Sequence, residues 1–313
     1  MKHSHRITRR TVPGAALASI LCFLLIMFAA TLVQAQKSNK SSKAQKLKRE
    51  IAITFDELPA AESFSDVNVE QINDFILHAL DTHQVKAAGF VVGSRIDDSY
   101  DLLGQWLNAG HVLGNLTYSH ADLHALGAEN FIHDINSGSD ALETMLAGFG
   151  QKKRYFRYPF LHYGETVEEK RAVADYLEAQ GVVVAHATVI VDDYLYNLSL
   201  EKMKGRPDSA AIHELIKEYI IHVSGEVSRC ESLAQSILKR NCRQILLLRV
   251  NMLNALALDD LLTELEKMGY KFVTLDYALK DDVYSAPDAY FGARGVGYLD
   301  MIYNAEPDLL PAE

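Results

Sequence analysis

The sequence predicts a single α/β domain over residues 50–278, a (β/α) barrel of parallel strands with its polar groups gathered at one mouth. Three observations carry this. Seven apolar runs of strand length alternate with longer amphipathic stretches, and parallel strands require crossovers of that kind. Polar side chains stand at the C-terminal ends of five of those runs, the edge where α/β folds collect their chemistry. After the first run comes Asp56-Glu57-Leu58-Pro59, in place of the glycine-rich loop that a dinucleotide site needs. An open doubly wound sheet also satisfies the alternation, and it is the convergence of five polar strand ends that favours a closed barrel.

The strands are expected at 51–56, 87–93, 111–117, 154–160, 182–188, 244–250 and 271–276. Their near-continuous apolar character suits a sheet buried on both faces. Between them, residues 69–83, 100–109, 121–146, 167–180, 209–240 and 258–268 carry helical spacing. Three connections end in a glycine just before the next strand, Gly110, Gly181 and Gly269, where a helix C-cap in the left-handed region favours one. The long connection holding helix 209–240 is the expected insertion or substrate-facing element. The tail 279–313, with Tyr284, Tyr290 and Phe291, is expected to pack back on the barrel. No internal repeat or second-domain boundary is visible.

The chain opens with Lys2, Arg6, Arg9 and Arg10, continues through an apolar run from Ala15 to Val33, and reaches Val33-Gln34-Ala35 before Gln36. That order of basic, apolar and small residues marks 1–35 as a signal peptide, or as an uncleaved anchor given the length of the apolar run. Residues 36–49, rich in Lys and Ser and without period, read as a flexible linker. The barrel is therefore expected to be periplasmic or secreted, and membrane-attached only if the segment stays on. The net charge of −10 becomes −14 once the four cations of the first 35 residues are removed, which argues against nucleic acid as a partner. Cys230 and Cys242 would lie roughly 18 Å apart on one straight helix, so a disulfide requires the helix to end between them. Bridged and free thiols both remain open.

The run Ile53-Thr54-Phe55-Asp56-Glu57 brings two adjacent carboxylates to a strand end. Successive side chains there point in different directions, so one can address water and the other a cation, although a solvated turn uses the same residues. His120 stands at the end of another strand, and a lone histidine is more often a hydrogen-bonded structural residue than a ligand. Arg157, in Arg157-Tyr158-Pro159-Phe160, is expected to face the interior, where a guanidinium requires a carboxylate partner; Asp56 and Asp193 are the candidates. Tyr118, Tyr158, Phe160, Tyr163 and Tyr194 along the expected mouth suit sugar stacking and packing equally.

Taken in order, these runs resemble the motifs of the polysaccharide deacetylase family, T-F-D-D, H-[ST]-x-x-H, R-x-P-[FY], D-x-x-D-W and L-x-L-H, over residues 50–278. The resemblance implies a distorted (β/α)7 barrel and metal-assisted removal of acetyl groups from an N-acetylated glycan, peptidoglycan or chitin-like. It implies Asp56 as general base, Glu57 and His120 as ligands of a divalent metal, expected to be zinc, and Arg157 as the group orienting the base. The backbone N–H near Phe160 matches an oxyanion donor, and Asp193 and Arg249 fall on the fourth and fifth motifs.

Five positions depart from the pattern. Glu57 stands at the second Asp of the first motif, one methylene longer but still able to ligate, Leu116 at the first metal-histidine position, Ile190 at the first Asp of the fourth motif, Tyr194 at its Trp, and Arg249 at the acid histidine. Arginine stays protonated, so Arg249 cannot donate a proton, although it can stabilise negative charge. Glu57 and His120 alone fall short of the three protein ligands of a catalytic zinc; His124 would join His120 on one face if that segment were helical. The expected function is an exported hydrolase of a glycan N-acetyl amide. The alternatives are a catalytically inactive barrel that binds cell-wall glycan, and a small-amide or ester hydrolase with another proton donor.

Overall fold

The computed structural model describes residues 48–61, 69–203, 209–286 and 289–305. The expected signal segment, and all of the expected linker except Lys48 and Arg49, lie outside these residues. Along the chain run β1 (Glu50–Leu58), α1 (Val69–Thr82), β2 (Ala88–Val91), α2 (Tyr100–Asn108), β3 (Val112–Asn115), α3 (Leu123–Gly148), β4 (Tyr155–Phe156), α4 (Val167–Ala179), β5 (Val183–Val184), β6 (Val189–Ile190), α5 (Asp193–Lys202), α6 (Ser209–Leu238), β7 (Gln244–Arg249), α7 (Met252–Lys267), β8 (Lys271–Phe272), α8 (Leu275–Ala278) and α9 (Tyr298–Tyr303). Among the described residues no helix is long and apolar enough to cross a membrane.

Every strand pairing is parallel, in the order β5-β4-β3-β2-β1-β7-β6, with β8 on the start of β1. The expected fifth strand is split in two. Its first half, β5, pairs with β4, and its second half, β6, pairs with β7. Between them Ala185 N–H donates to Phe156 O at 2.8 Å and Thr188 N–H to Ile245 O at 3.0 Å. One segment thus carries the wall of the barrel from β4 round to β7. The interruption has a cause: the Ala185 carbonyl accepts from Arg157 Nε at 3.0 Å, and Thr188 Oγ1 accepts from Ile245 N–H at 2.8 Å. β4 is only two residues long because Pro159 follows closely and Phe160 turns into the left-handed region at φ 58.

The period of two along β1 sorts its side chains. Ile51, Ile53 and Phe55 join the large outer cluster with Ile72 and Ile76 of α1, Val223 of α6 and Leu258 and Leu262 of α7. Ala52 belongs to the inner cluster with Ala88, Phe90, Leu116, Ala185 and Ile245. Thr54 and Asp56 continue that inner row toward the mouth. The expected C-cap glycines Gly110, Gly181 and Gly269 have φ of 79°, 62° and 86°. Beyond β8, Tyr298 N–H donates to Ala187 O at 2.7 Å, and Asp300 accepts from Arg229 at 2.9 Å, so α9 lies against the split strand and α6. Cys230 and Cys242 are both buried free thiols.

Two histidines, the buried His111 and the partly buried His186, make the scaffold sensitive to acid. His111 Nδ1 accepts the Ala87 N–H at 3.1 Å, and burial, helped by Lys86, pushes its pKa down to about 4. His186, stacked on Tyr298 at 4.1 Å, is pushed down by burial to about 3. Both values lie below the ordinary 6.5, so the unfolded chain takes up these protons first. Stability from these groups is complete above the unfolded value and is lost as pH falls through the window toward the folded values. At ~1.4 kcal/mol per pH unit, His111 alone accounts for roughly 3 kcal/mol. Denaturant midpoints should therefore fall steeply between pH 6.5 and 4, and His186→Phe should flatten the slope; an equally steep slope in that variant would exclude His186 as a contributor.

A candidate active site of two guanidinium–carboxylate pairs

The first pair lies inside the barrel. Arg157, fully buried just beyond β4, donates from Nη1 to Asp56 Oδ1 at 2.9 Å and to Thr54 Oγ1 at 2.8 Å, and its guanidinium carbon lies 4.3 Å from the centre of the Phe90 ring. Of the two carboxylates the sequence offered it, Asp56 is the partner. Asp56 Oδ2 makes no hydrogen bond among the described residues and is not sealed from the mouth. Burial pushes the Asp56 pKa upward, against the opposing pull of Arg157 and Arg249.

The second pair lies across β1 and β7, where Asp56 and Arg249 are register partners. Glu57 turns into the left-handed region at φ 67, and its Oε1 accepts from Arg249 Nε at 3.1 Å. On its other side Arg249 Nη1 reaches Asp193 Oδ1 at 2.6 Å, while the Arg249 N–H donates to Asp193 Oδ2 at 2.7 Å. The wholly buried Asp193 also accepts from Asn254 Nδ2 at 2.8 Å, and Asn254 Oδ1 accepts from the Tyr219 hydroxyl at 2.6 Å. Burial raises the Glu57 pKa against the pull of Arg249. Burial works against the charge of Arg249, but Asp193 and Glu57 outweigh it and raise its pKa.

Backbone strain is concentrated at the same edge. Glu57, Thr117, His120, Phe160 and Leu161 all have positive φ, from 55° to 67°, and such conformations cost of order 1–3 kcal/mol each. Thr117 is β-branched, for which the region is a true outlier. Its hydroxyl compensates by accepting the Ala121 N–H at 3.0 Å.

Leu116 is fully buried in the inner apolar cluster with Phe90 and Tyr155. His120 packs on Phe160 with ring centres 4.7 Å apart. The helix begins only at Leu123, so His120 and His124 do not share a helical face. His124 instead stacks on His162 at 4.2 Å, and His162 Nδ1 lies 2.8 Å from Asp122 Oδ1. Burial acts to raise the Asp122 pKa, but hydrogen bonds from His162 and from the His124 N–H hold it below its usual value. Tyr118, Phe160 and Tyr194 are exposed, whereas Tyr158 and Tyr163 are buried among Phe131, Phe156 and Leu177, so only three of the five expected mouth aromatics reach solvent.

Two places bear on a divalent ion. At the position the family resemblance implies, the donors are Glu57, already neutralised by Arg249, and His120, and the third place is a core leucine. Such a set does not fit a three-ligand metal. Asp122, His124 and His162, in contrast, bring one donor atom each to within 4.8 Å of one another. Two imidazoles and a carboxylate are donor chemistry suited to zinc.

The comparisons agree with this architecture. Residues 43–180 match the family model described as polysaccharide deacetylase. The chain is 32% identical over 123 residues to a peptidoglycan-N-acetylglucosamine deacetylase of Bacillus cereus, covering 39% of each protein. It is 25% identical over 231 residues to a chitin deacetylase of Arthroderma benhamiae, covering 74% of this chain and 52% of that one. The chain thus spans between about two fifths and one half of the length of these relatives. Among solved structures, the family 4 carbohydrate esterase PdaA of Bacillus subtilis matches with a TM-score of 0.50 and 22% identity over 74% of this chain and 81% of that one. The chain resembles the polysaccharide deacetylases in sequence and has their curled parallel (β/α) barrel.

Proposed function

We propose that this protein is an exported deacetylase that hydrolyses the N-acetyl amide, a non-peptide C–N bond, of a glycan such as peptidoglycan or a chitin-like polymer. The observation that carries the reading is Asp56, held through one oxygen by Arg157 while its other oxygen remains open to the mouth. The substrate class rests on the names of the relatives. Export rests on the basic, apolar and small-residue order of residues 1–35. The exposed rings of Tyr118, Phe160 and Tyr194 give sugar faces a surface to stack on.

In this reading Asp56 takes a proton from water as the water oxygen bonds to the acetyl carbon and the carbonyl electron pair moves onto its oxygen. Arg249 and the Phe160 N–H stabilise that oxyanion. As the C–N bond breaks, Asp56 returns the proton to the leaving nitrogen, giving a free amine and acetic acid, which then loses its remaining proton to solvent as acetate. Arg249 cannot supply this proton. Zinc is proposed at Asp122, His124 and His162, where it would neutralise Asp122 and tie the segment after β3 to the segment after β4; no step passes through it.

Acetate release from chitin oligomers and from peptidoglycan tests the reading. Activity should fall on the acid side at a pH above the ordinary aspartate range, because protonated Asp56 cannot act as base and burial raises its pKa. One observation favours the second reading, an inactive glycan-binding barrel: Arg249 closes the acid site between Glu57 and Asp193. Co-sedimentation with insoluble glycan, with no acetate released from either substrate, would establish that alternative.

A further inference from the structure

We infer that the Arg249 guanidinium is the resident cation of this mouth, occupying the electrostatic place of a divalent ion, so that the site at Asp56 and Glu57 works without bound metal. The exclusion of an ion rests on the charges alone, and the catalytic role given to Arg249 below rests on the hydrolase reading.

Three carboxylates, Asp56, Glu57 and Asp193, converge at the ends of β1 and β7 and the start of α5. Two guanidiniums already answer them. Arg157 Nη1 lies 2.9 Å from Asp56, and Arg249 spans Glu57 at 3.1 Å and Asp193 at 2.6 Å. A divalent ion on Glu57 would have to displace Arg249 or lie against its charge. Displacement would strand Asp193, which is wholly buried and has no other cation within ion-pair distance among the described residues. The fixed network behind it, Asp193 to Asn254 to Tyr219, holds Arg249 in that orientation. No rotation of Leu116 supplies a donor, since its side chain carries none.

Arg249 also keeps donor capacity for a ligand. Its hydrogen bonds use the backbone N–H, Nε and Nη1. Nη2 has no partner among the described residues, and the residue is partly exposed beside Tyr194, with the guanidinium 5.4 Å from the ring centre. Nη2 is thus available to an acyl oxygen brought next to Asp56, and a guanidinium provides there the positive charge that a metal would otherwise give.

The test is zinc content by elemental mass spectrometry on the purified full chain after zinc loading and desalting. Wild type, Glu57→Gln, His120→Ala and His162→Ala are compared. The inference expects Glu57→Gln and His120→Ala to hold the same zinc as wild type, whether that is none or an ion lost only in His162→Ala. Zinc present in wild type at about one per chain and lost in Glu57→Gln or His120→Ala overturns it. Arg249→Gln adds a gain: with the cation gone and three carboxylates left, zinc affinity should rise about tenfold or more, with Arg249→Lys showing no such rise. An equal rise in Arg249→Lys counts against the charge argument. The comparison of wild type with Glu57→Gln does not require the Arg249 variants to fold. Zinc results as expected together with an absence of acetate release leave this inference standing and remove the hydrolase reading instead.

Discussion

Asp56→Asn is expected to lower acetate release by on the order of 10²–10⁴-fold, the usual contribution of a positioned general base, and to weaken the fold as well. The amide cannot take the water proton. It also leaves Arg157 with no carboxylate, since the other partners of that guanidinium are the Thr54 hydroxyl, the Ala185 carbonyl and the Phe90 ring. Breaking one side of a buried ion pair costs about 3–5 kcal/mol. The loss here should lie toward the lower end because those neutral partners remain. Stability and catalysis separate in the double variant Asp56→Asn/Arg157→Met, which removes both charges and should regain stability without regaining activity. Denaturant unfolding at neutral pH and acetate release from a chitin oligomer measure the two. Undiminished turnover in folded Asp56→Asn would remove Asp56 as the base.

How much of this was legible in the sequence depends on the range of the interaction. The order of strands and helices was readable because each element carries its own periodicity, and the helix ends because Gly110, Gly181 and Gly269 supply the left-handed φ that their caps adopt. A carboxylate partner for Arg157 followed from the cost of burying a lone charge, and choosing Asp56 over Asp193 required the register. The split of the fifth strand was not readable. It arises because the Ala185 carbonyl is taken by an arginine 28 residues away, which no local pattern records.

The closure of the acid site was half readable. Arg249 in place of a histidine announces lost acid chemistry, but that Glu57 turns toward it depends on a positive φ at a glutamate, which propensity does not suggest. The Asp122, His124 and His162 group was missed because its members lie 40 residues apart, His162 in the segment after β4 and the other two in the segment after β3. The available signal was topological: histidines following two consecutive strands of a parallel barrel emerge side by side. Tyr158 and Tyr163 turned inward for a reason equally invisible locally, the stack with Phe131 and His186 that fills the space between α3 and the C-terminal segment.

Gly138→Ala is expected to damage both the scaffold and the mouth although it adds one methyl group. Gly138 lies on the buried face of α3, where the helix crosses the segment leaving β3. A Cβ there would meet Asn115 Oδ1 at 2.4 Å, the Thr117 carbonyl carbon at 2.7 Å and the Tyr118 nitrogen at 2.8 Å. Two of these three are backbone atoms, and the third belongs to a side chain fixed by hydrogen bonds to Ile135 O at 2.8 Å and Ser139 Oγ at 2.9 Å. None can yield like the end of a flexible side chain. The helix must move out, or residues 117–120, already held at positive φ at both ends, must shift. Overpacking of this kind costs typically 1–3 kcal/mol and sometimes more, and the rigidity of these neighbours points to the upper part of that range. Moving 117–120 also moves Tyr118 and His120, so glycan retention should weaken along with the denaturant midpoint. Gly148→Ala is the control, since a Cβ there has nothing within 4 Å, and it should leave both measurements unchanged. If Gly138→Ala proves as stable as that control, the close crossing of α3 over the mouth segment is not what fixes the left-handed turns beneath it.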